Sequence, residues 1–190
     1  KTWVNCTRRS FLFYKKLKKE LGTDKLSIKV EGNNWGLASN SIHMIDLLAF
    51  LSEKNNFIFD TDGLENILIS SKRNGFSELK GTLKIQTSRG DTLELKEKGK
   101  YDKNTKISIS NDKMHFNIYE TQNRVVKYIL DKEAYADHIR IPFQSELTGS
   151  AIDQILDTGE SDLTSYDECM KYHLPMLDAL NTQIQVAKQA

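Results

Sequence analysis

From about Phe57 to Tyr135 the apolar and polar residues alternate with a period of two. The runs "NILISSK", "FSELKGTLKIQTS", "DTLELKEK", "TKISIS" and "KMHFNIYE" all follow this pattern. Alternation of this kind predicts strands with one face on a core and one face in water. "SRGD" (88–91) and "SNDK" (110–113) carry turn residues between runs, so the stretch reads as a meander of antiparallel strands. In the longest run Leu79, Leu83, Ile85 and Thr87 share one face, and Lys80, Thr82, Lys84 and Gln86 share the other.

The flanks change period. "SFLFYKKLKKEL" (10–21) places Phe11, Tyr14, Leu17 and Leu21 at helical spacing, and Gly22 ends it. Its "KKLKK" (15–19) is the solvated side of that helix. Before it, "KTWVNC" (1–6) is short and β-prone; after it, "KLSIKVEG" (25–32) alternates as a half-buried strand. A loop, "NNWGLASN", then enters an apolar helix that runs to Leu51. At the far end, "IPFQSELTGSAIDQILDTG" (141–159) predicts a helix stopped by Gly159. A second helix begins in "LTSYDECMKYHLPMLDALNTQIQVAKQA", where Thr164 with Asp167 and Ser165 with Glu168 have capping-box spacing and Pro175 predicts a kink. Strands segregated from helices imply an α+β domain over residues 1–190: an open, predominantly antiparallel sheet with helices packed on one face.

Charge adds little direction. The chain has 27 Lys+Arg against 26 Asp+Glu, which gives no push towards nucleic acid or an anionic membrane. Cys6 and Cys169 match no zinc or redox spacing and read as free thiols in a reducing cytoplasm. No run reaches the ~18 apolar residues of a membrane span, and no signal-peptide pattern is visible. The chain opens on Lys1, which suggests trimming or processing and a missing N-terminal part. There is no Walker A motif, no G-x-G-x-x-G fingerprint, no nucleophile elbow and no metal-ligand spacing.

The candidate chemistry lies in "WGLASNSIHMIDLLAFL" (35–51). Between Gly36 and Ser52 the ionisable residues are His43 and Asp46. Ser39, Asn40 or Ser41 can cap this helix, which would put His43 in its first turn, where the helix dipole disfavours imidazolium. A neutral imidazole exchanges protons with a hydroxyl near pH 7. The other reading makes His43 and Asp46 a satisfied polar pair inside the core. Arg8 and Arg9 can hold a carboxylate or phosphate, or form ordinary ion pairs. Trp35 can stack on a sugar ring or anchor its loop. His115, His138 and His173 read as surface or packing residues, with His138 in a connector.

The order of these pieces resembles the C-terminal domain of the Gfo/Idh/MocA family of NAD(P)-dependent oxidoreductases. "NSIHMIDLL", after the loop "EGNNWGLA", looks like the family's H-x-x-D helix. "WVNCTRRSFLFYKKLKKEL" resembles the segment that follows its nucleotide-binding domain. "SELKGTLKIQTSRGDTLEL" and "QSELTGSAIDQILDTGESDLTSYDECMKYHLPMLDAL" resemble its sheet and closing helices. The resemblance implies His43 as catalytic acid/base, with Arg9, Trp35, Ser39 and Asn40 as substrate-binding residues and Asp46 as structural support. It implies a sugar, nucleotide-sugar or polyol substrate, and a homodimer formed through the sheet. It implies NAD or NADP in the intact enzyme, held by an N-terminal Rossmann domain that these residues do not contain. The chain alone is expected to bind no cofactor and to turn nothing over. Ser39 stands where the family often has an Asp, and a hydroxyl cannot orient or charge an imidazole as a carboxylate does. Asn33, Asn34 and Asn40 can supply hydrogen bonds instead. That departure leaves a second reading: a dimerisation or ligand-binding module that kept the fold and lost the chemistry.

Overall fold

The structure is a computed structural model that describes residues 1–98 and 105–189. A short strand β1 (Trp3–Val4) leads through a 3-10 turn (Thr7–Ser10) into α1 (Leu12–Leu21). Then follow β2 (Ser27–Gly32), α2 (Leu37–Ser52), β3 (Phe57–Asp60), β4 (Leu64–Ser70), β5 (Ser77–Thr87) and β6 (Thr92–Glu97). After residue 104 come β7 (Lys106–Ser110), β8 (Met114–Tyr119), β9 (Arg124–Ile129) and β10 (Lys132–His138). The chain closes with α3 (Gln144–Thr158), β11 (Thr164–Ser165) and α4 (Tyr166–Gln189). Ala190, the last residue of the expected closing helix, lies outside the described residues.

Nine of the described strands form one sheet, in the order β10-β9-β8-β7-β2-β6-β5-β3, with β4 also paired to β5. The expected meander is interrupted at its centre. Strand β2, early in the chain, lies between β6 and β7, parallel to the first and antiparallel to the second. The reason is apolar demand. Ile28 and Val30 bury completely when they stand beside Leu93 and Leu95 on one side and Ile107 and Ile109 on the other. The expected face of β5 holds: Leu79, Leu83, Ile85 and Thr87 are all buried, while Lys84 and Gln86 are exposed. His138 ends β10 rather than sitting in a connector, and α4 runs through Pro175 without ending.

Helix α2 lies between the sheet and the rest. Its Ile45, Leu47, Leu48 and Leu51 are all at most 2% exposed, as an all-round apolar helix must be. It meets β5 and β6 on one side, and α4 and the 3-10 turn on the other. Helix α1 buries Tyr14, Leu17 and Leu21. Helix α3 buries no side chain and rests against the 3-10 turn.

Two ion-paired networks fasten the helices. Arg9 donates to both carboxylate oxygens of Asp46, at 2.7 and 3.0 Å, and Tyr172 of α4 donates to the same carboxylate at 2.7 Å. Arg8 donates to both oxygens of Glu120, at 2.7 and 2.9 Å, and Tyr14 donates to it at 2.6 Å. Both arginines therefore have carboxylate partners inside the protein. Cys6 and Cys169 are free and buried. Far apart in sequence, they lie together: the Cys6 thiol is pushed up by its hydrogen bond to Cys169 and by burial.

Removing one member of a buried pair leaves a charge without its counterion, which typically costs about 3–5 kcal/mol. Asp46→Ala should lose stability on that scale in urea denaturation. The double variant Arg9→Met with Asp46→Leu should recover most of the loss, because no charge is left stranded.

Candidate functional site

The site begins at the junction of β2 and α2. Loop 33–36 is held by Glu97, which accepts the Asn34 and Trp35 amides at 2.6 and 3.0 Å. The Trp35 indole N–H donates to the Lys96 carbonyl at 3.1 Å, so Trp35 anchors the loop. Asn40 ties loop to helix, its amide nitrogen donating to the Trp35 and Gly36 carbonyls at 2.5 and 3.2 Å. Gly36 turns the chain at φ 80°, and a Cβ there would meet Ser39 Oγ at 2.6 Å.

The helix starts at Leu37, earlier than expected, and no residue of its own first turn caps it. The cap comes from the sheet. Glu78 of β5 accepts the Ala38 amide at 2.8 Å and the Ser39 amide at 3.4 Å. A carboxylate there satisfies orphan donors and complements the positive helix end. His43 consequently lies in the second turn, not the first, and the dipole is not what keeps it neutral. Burial lowers its pKa from the ordinary value, and the positive charges of Arg8 and His173 add to this. Burial lowers His173 of α4 as well.

A recess of about 540 Å³ opens over this helix start. It brings together Trp35, Ser39, Asn40 and His43, four of the residues expected at the site. Arg9, expected among the substrate-binding residues, does not line it. Its planar guanidinium is committed to Asp46 and only 8% exposed. Asp46 braces α2 from the inner side, and its carboxylate serves Arg9 and Tyr172 rather than His43. The opposite wall of the recess is the turn between β4 and β5, which contributes Lys72, Arg73 and Phe76, together with Glu78. None of these four was singled out from sequence. Asn74-Gly75, a hairpin signal, was the available clue to the turn. A larger hollow of about 700 Å³ lies between α1 and the end of α2, but its Lys15 and Lys18 are paired with Asp162 and Glu53.

The recess can move a proton: a half-buried imidazole, neutral near pH 7, stands beside hydroxyl and amide groups. A dinucleotide is a different matter. A strand, a glycine-bearing loop and a helix start would be the place for its diphosphate. At β2–α2 the Glu78 carboxylate already fills that position, so these residues do not fit it.

No protein-family model matches the chain, and no curated protein matches it. Solved structures do. UDP-N-acetylglucosamine 3-dehydrogenase GnnA from Acidithiobacillus ferrooxidans superposes with a TM-score of 0.70 at 9% identity, covering 96% of this chain and 61% of that one. A Gfo/Idh/MocA family oxidoreductase from Vibrio cholerae superposes with a TM-score of 0.58 at 15% identity, covering 95% and 61%. The chain has the α+β fold of the C-terminal domain of these Gfo/Idh/MocA neighbours. A super-repressor mutant of Gal80p from Saccharomyces cerevisiae also matches, with a TM-score of 0.60 at 14% identity, covering 97% of this chain and 63% of that one. The chain thus spans about three-fifths of the length of the chains it resembles.

Because folding lowers the His43 pKa, the unfolded chain takes up that proton first, and the histidine's contribution to stability falls as pH drops below 6.5. His43 should titrate below 6.5 in a histidine ring NMR titration. His173→Gln should raise its pKa, since it removes a neighbouring cation.

Proposed function

We propose that this chain is the C-terminal, substrate-binding and dimerisation portion of an NAD(P)-dependent oxidoreductase acting on a hydroxyl of a sugar, nucleotide sugar or polyol. The observation that carries the reading is His43, half-buried and neutral, facing a recess on a fold shared with a nucleotide-sugar dehydrogenase. In this reading His43 accepts the hydroxyl proton as the alcohol becomes a carbonyl, and returns it in the reverse direction. Ser39 and Asn40 share its helix and the recess lining, placed to contact neighbouring hydroxyls, and Trp35 lines the same recess. NAD or NADP, when bound, takes or gives the hydride, and belongs to the remaining length of the intact enzyme. The chain alone is inactive. The homodimer uses the outer face of the sheet, where Ile58 is 70% exposed opposite Gln86. Two free thiols suit the cytoplasm. No described helix is long and apolar enough to cross a membrane.

The second reading, a binding or dimerisation module without chemistry, rests on Ser39 in place of a carboxylate and on Gal80p as a neighbour.

The test is His43→Ala in the intact oxidoreductase. Turnover should fall by about 10²–10⁴-fold, the usual worth of a positioned acid/base. Melting temperature and substrate affinity should stay close to those of the parent. Undiminished turnover would remove the acid/base role from His43, and an intact protein with no turnover at all would favour the second reading.

A further inference from the structure

The recess beside His43 has a wall that proton transfer does not use. The turn from Ser71 to Phe76 closes on itself: the Ser71 amide donates to the Phe76 carbonyl at 3.0 Å, and the Phe76 amide to the Arg73 carbonyl at 3.2 Å. Gly75 completes it at φ 82°, a conformation glycine adopts without strain. Lys72 and Arg73 are thus carried on a defined backbone, at the mouth of the recess. Both are exposed, and among the described residues neither has an ion-pair partner. Among the described residues Lys16, Lys19 and Lys84 also lack an ion pair; Lys72 and Arg73 differ from them in sharing the lining of the recess with His43.

The other titratable groups lining the recess are His43 and Glu78. Glu78 is 6% exposed and committed to the amides of α2, so it closes the helix end to an anion and offsets one of the two cations. The charge balance of the lining is therefore positive, and concentrated on the turn. A neutral polyol offers two adjacent cations hydroxyl acceptors only, with no charge to match theirs. A phosphoryl group offers them several strong acceptors. Phe76, 67% exposed, lines the same wall and presents an apolar ring surface beside the cations.

We propose that Lys72 and Arg73 form a phosphoryl-binding subsite at the mouth of the His43 recess, so that the substrate is a phosphorylated sugar, either a monoester or a nucleotide diphosphate sugar. The proposal rests on the reading of this recess as the substrate site, and supplies its specificity. The anionic group docks on the turn while the reacting hydroxyl reaches the imidazole.

The test titrates the isotope-labelled chain with inorganic pyrophosphate, glucose 6-phosphate, UDP-N-acetylglucosamine and glucose at low salt, followed by amide NMR. The three phosphoryl compounds should perturb amides 71–77, and added salt should weaken them. The double variant Lys72→Gln with Arg73→Gln should bind them about tenfold more weakly, since two exposed charge contacts together are worth roughly that. Its melting temperature should be unchanged, as both side chains are exposed. Glucose should not distinguish the variant from the parent. Phe76→Ala should weaken UDP-N-acetylglucosamine selectively if the nucleotide sugar is the source, and neither compound selectively if the monoester is. His43→Ala should leave pyrophosphate affinity intact. Loss of turnover without any effect of the double variant on pyrophosphate overturns the subsite and keeps the proposed function. Phosphoryl binding on the turn in an enzyme indifferent to His43→Ala does the reverse. Pyrophosphate shifts that map elsewhere, or no binding at millimolar concentrations, also overturn the subsite.

Discussion

A charge that leaves water must be met in the interior, and the Asp46 carboxylate is met from two directions. Arg9 approaches it from the 3-10 turn and Tyr172 from α4. Tyr172 in turn shares a hydrogen bond of 3.1 Å with Thr164 of β11, the small strand that pairs with β1. One carboxylate thus joins the N-terminal segment, the central helix and the last helix. Apolar contacts around it tolerate small shifts, because dispersion varies gradually with position. A bidentate guanidinium–carboxylate pair in a dry setting does not. That pair fixes α2 against the 3-10 turn, and Tyr172 fixes it against α4.

The functional face inherits this rigidity. His43 lies one turn before Asp46 on the same helix, and the helix start is fixed by Glu78. The imidazole therefore sits between two anchored points, one from the helix layer and one from the sheet. Loop 33–36 is pinned by Glu97, the Trp35 indole and the Asn40 amide. Each of these hydrogen bonds joins two different elements, so the recess is a joint property of β5, β6 and α2.

Local features of this arrangement were legible in the sequence. Period-two runs located the strands, Gly22 and Gly159 marked helix ends, and the apolar surroundings of His43 and Asp46 marked the helix that matters. Partnerships over long separations were not legible. Nothing near Arg9 says that its partner is Asp46 rather than a ligand, because both uses need the same guanidinium. Glu78 stands next to Leu79, and both are buried, which a strand with one wet face forbids. The strand bends there: Gly81 adopts φ 107°, and the β4–β5 register shifts between Leu64 and Leu68. The cap on α2 escaped notice because its donors and its acceptor are 40 residues apart. The position of β2 escaped notice because alternation shows which face of a strand is apolar and says nothing of its neighbours.

That central position has a consequence for how the sheet is assembled. Strands β3 to β6 and β7 to β10 each form a block of mostly sequential antiparallel pairs, and among the described residues no ladder joins β6 directly to β7. The two blocks are joined by β2, which forms a ladder with each. Until β2 inserts, each block presents a bare, apolar edge strand, the feature from which intermolecular pairing starts. Insertion closes the longest loops in the sheet, the entropically expensive step in building such a topology. The first thirty residues of this chain thus act as the keystone of a sheet whose other strands all follow them in sequence.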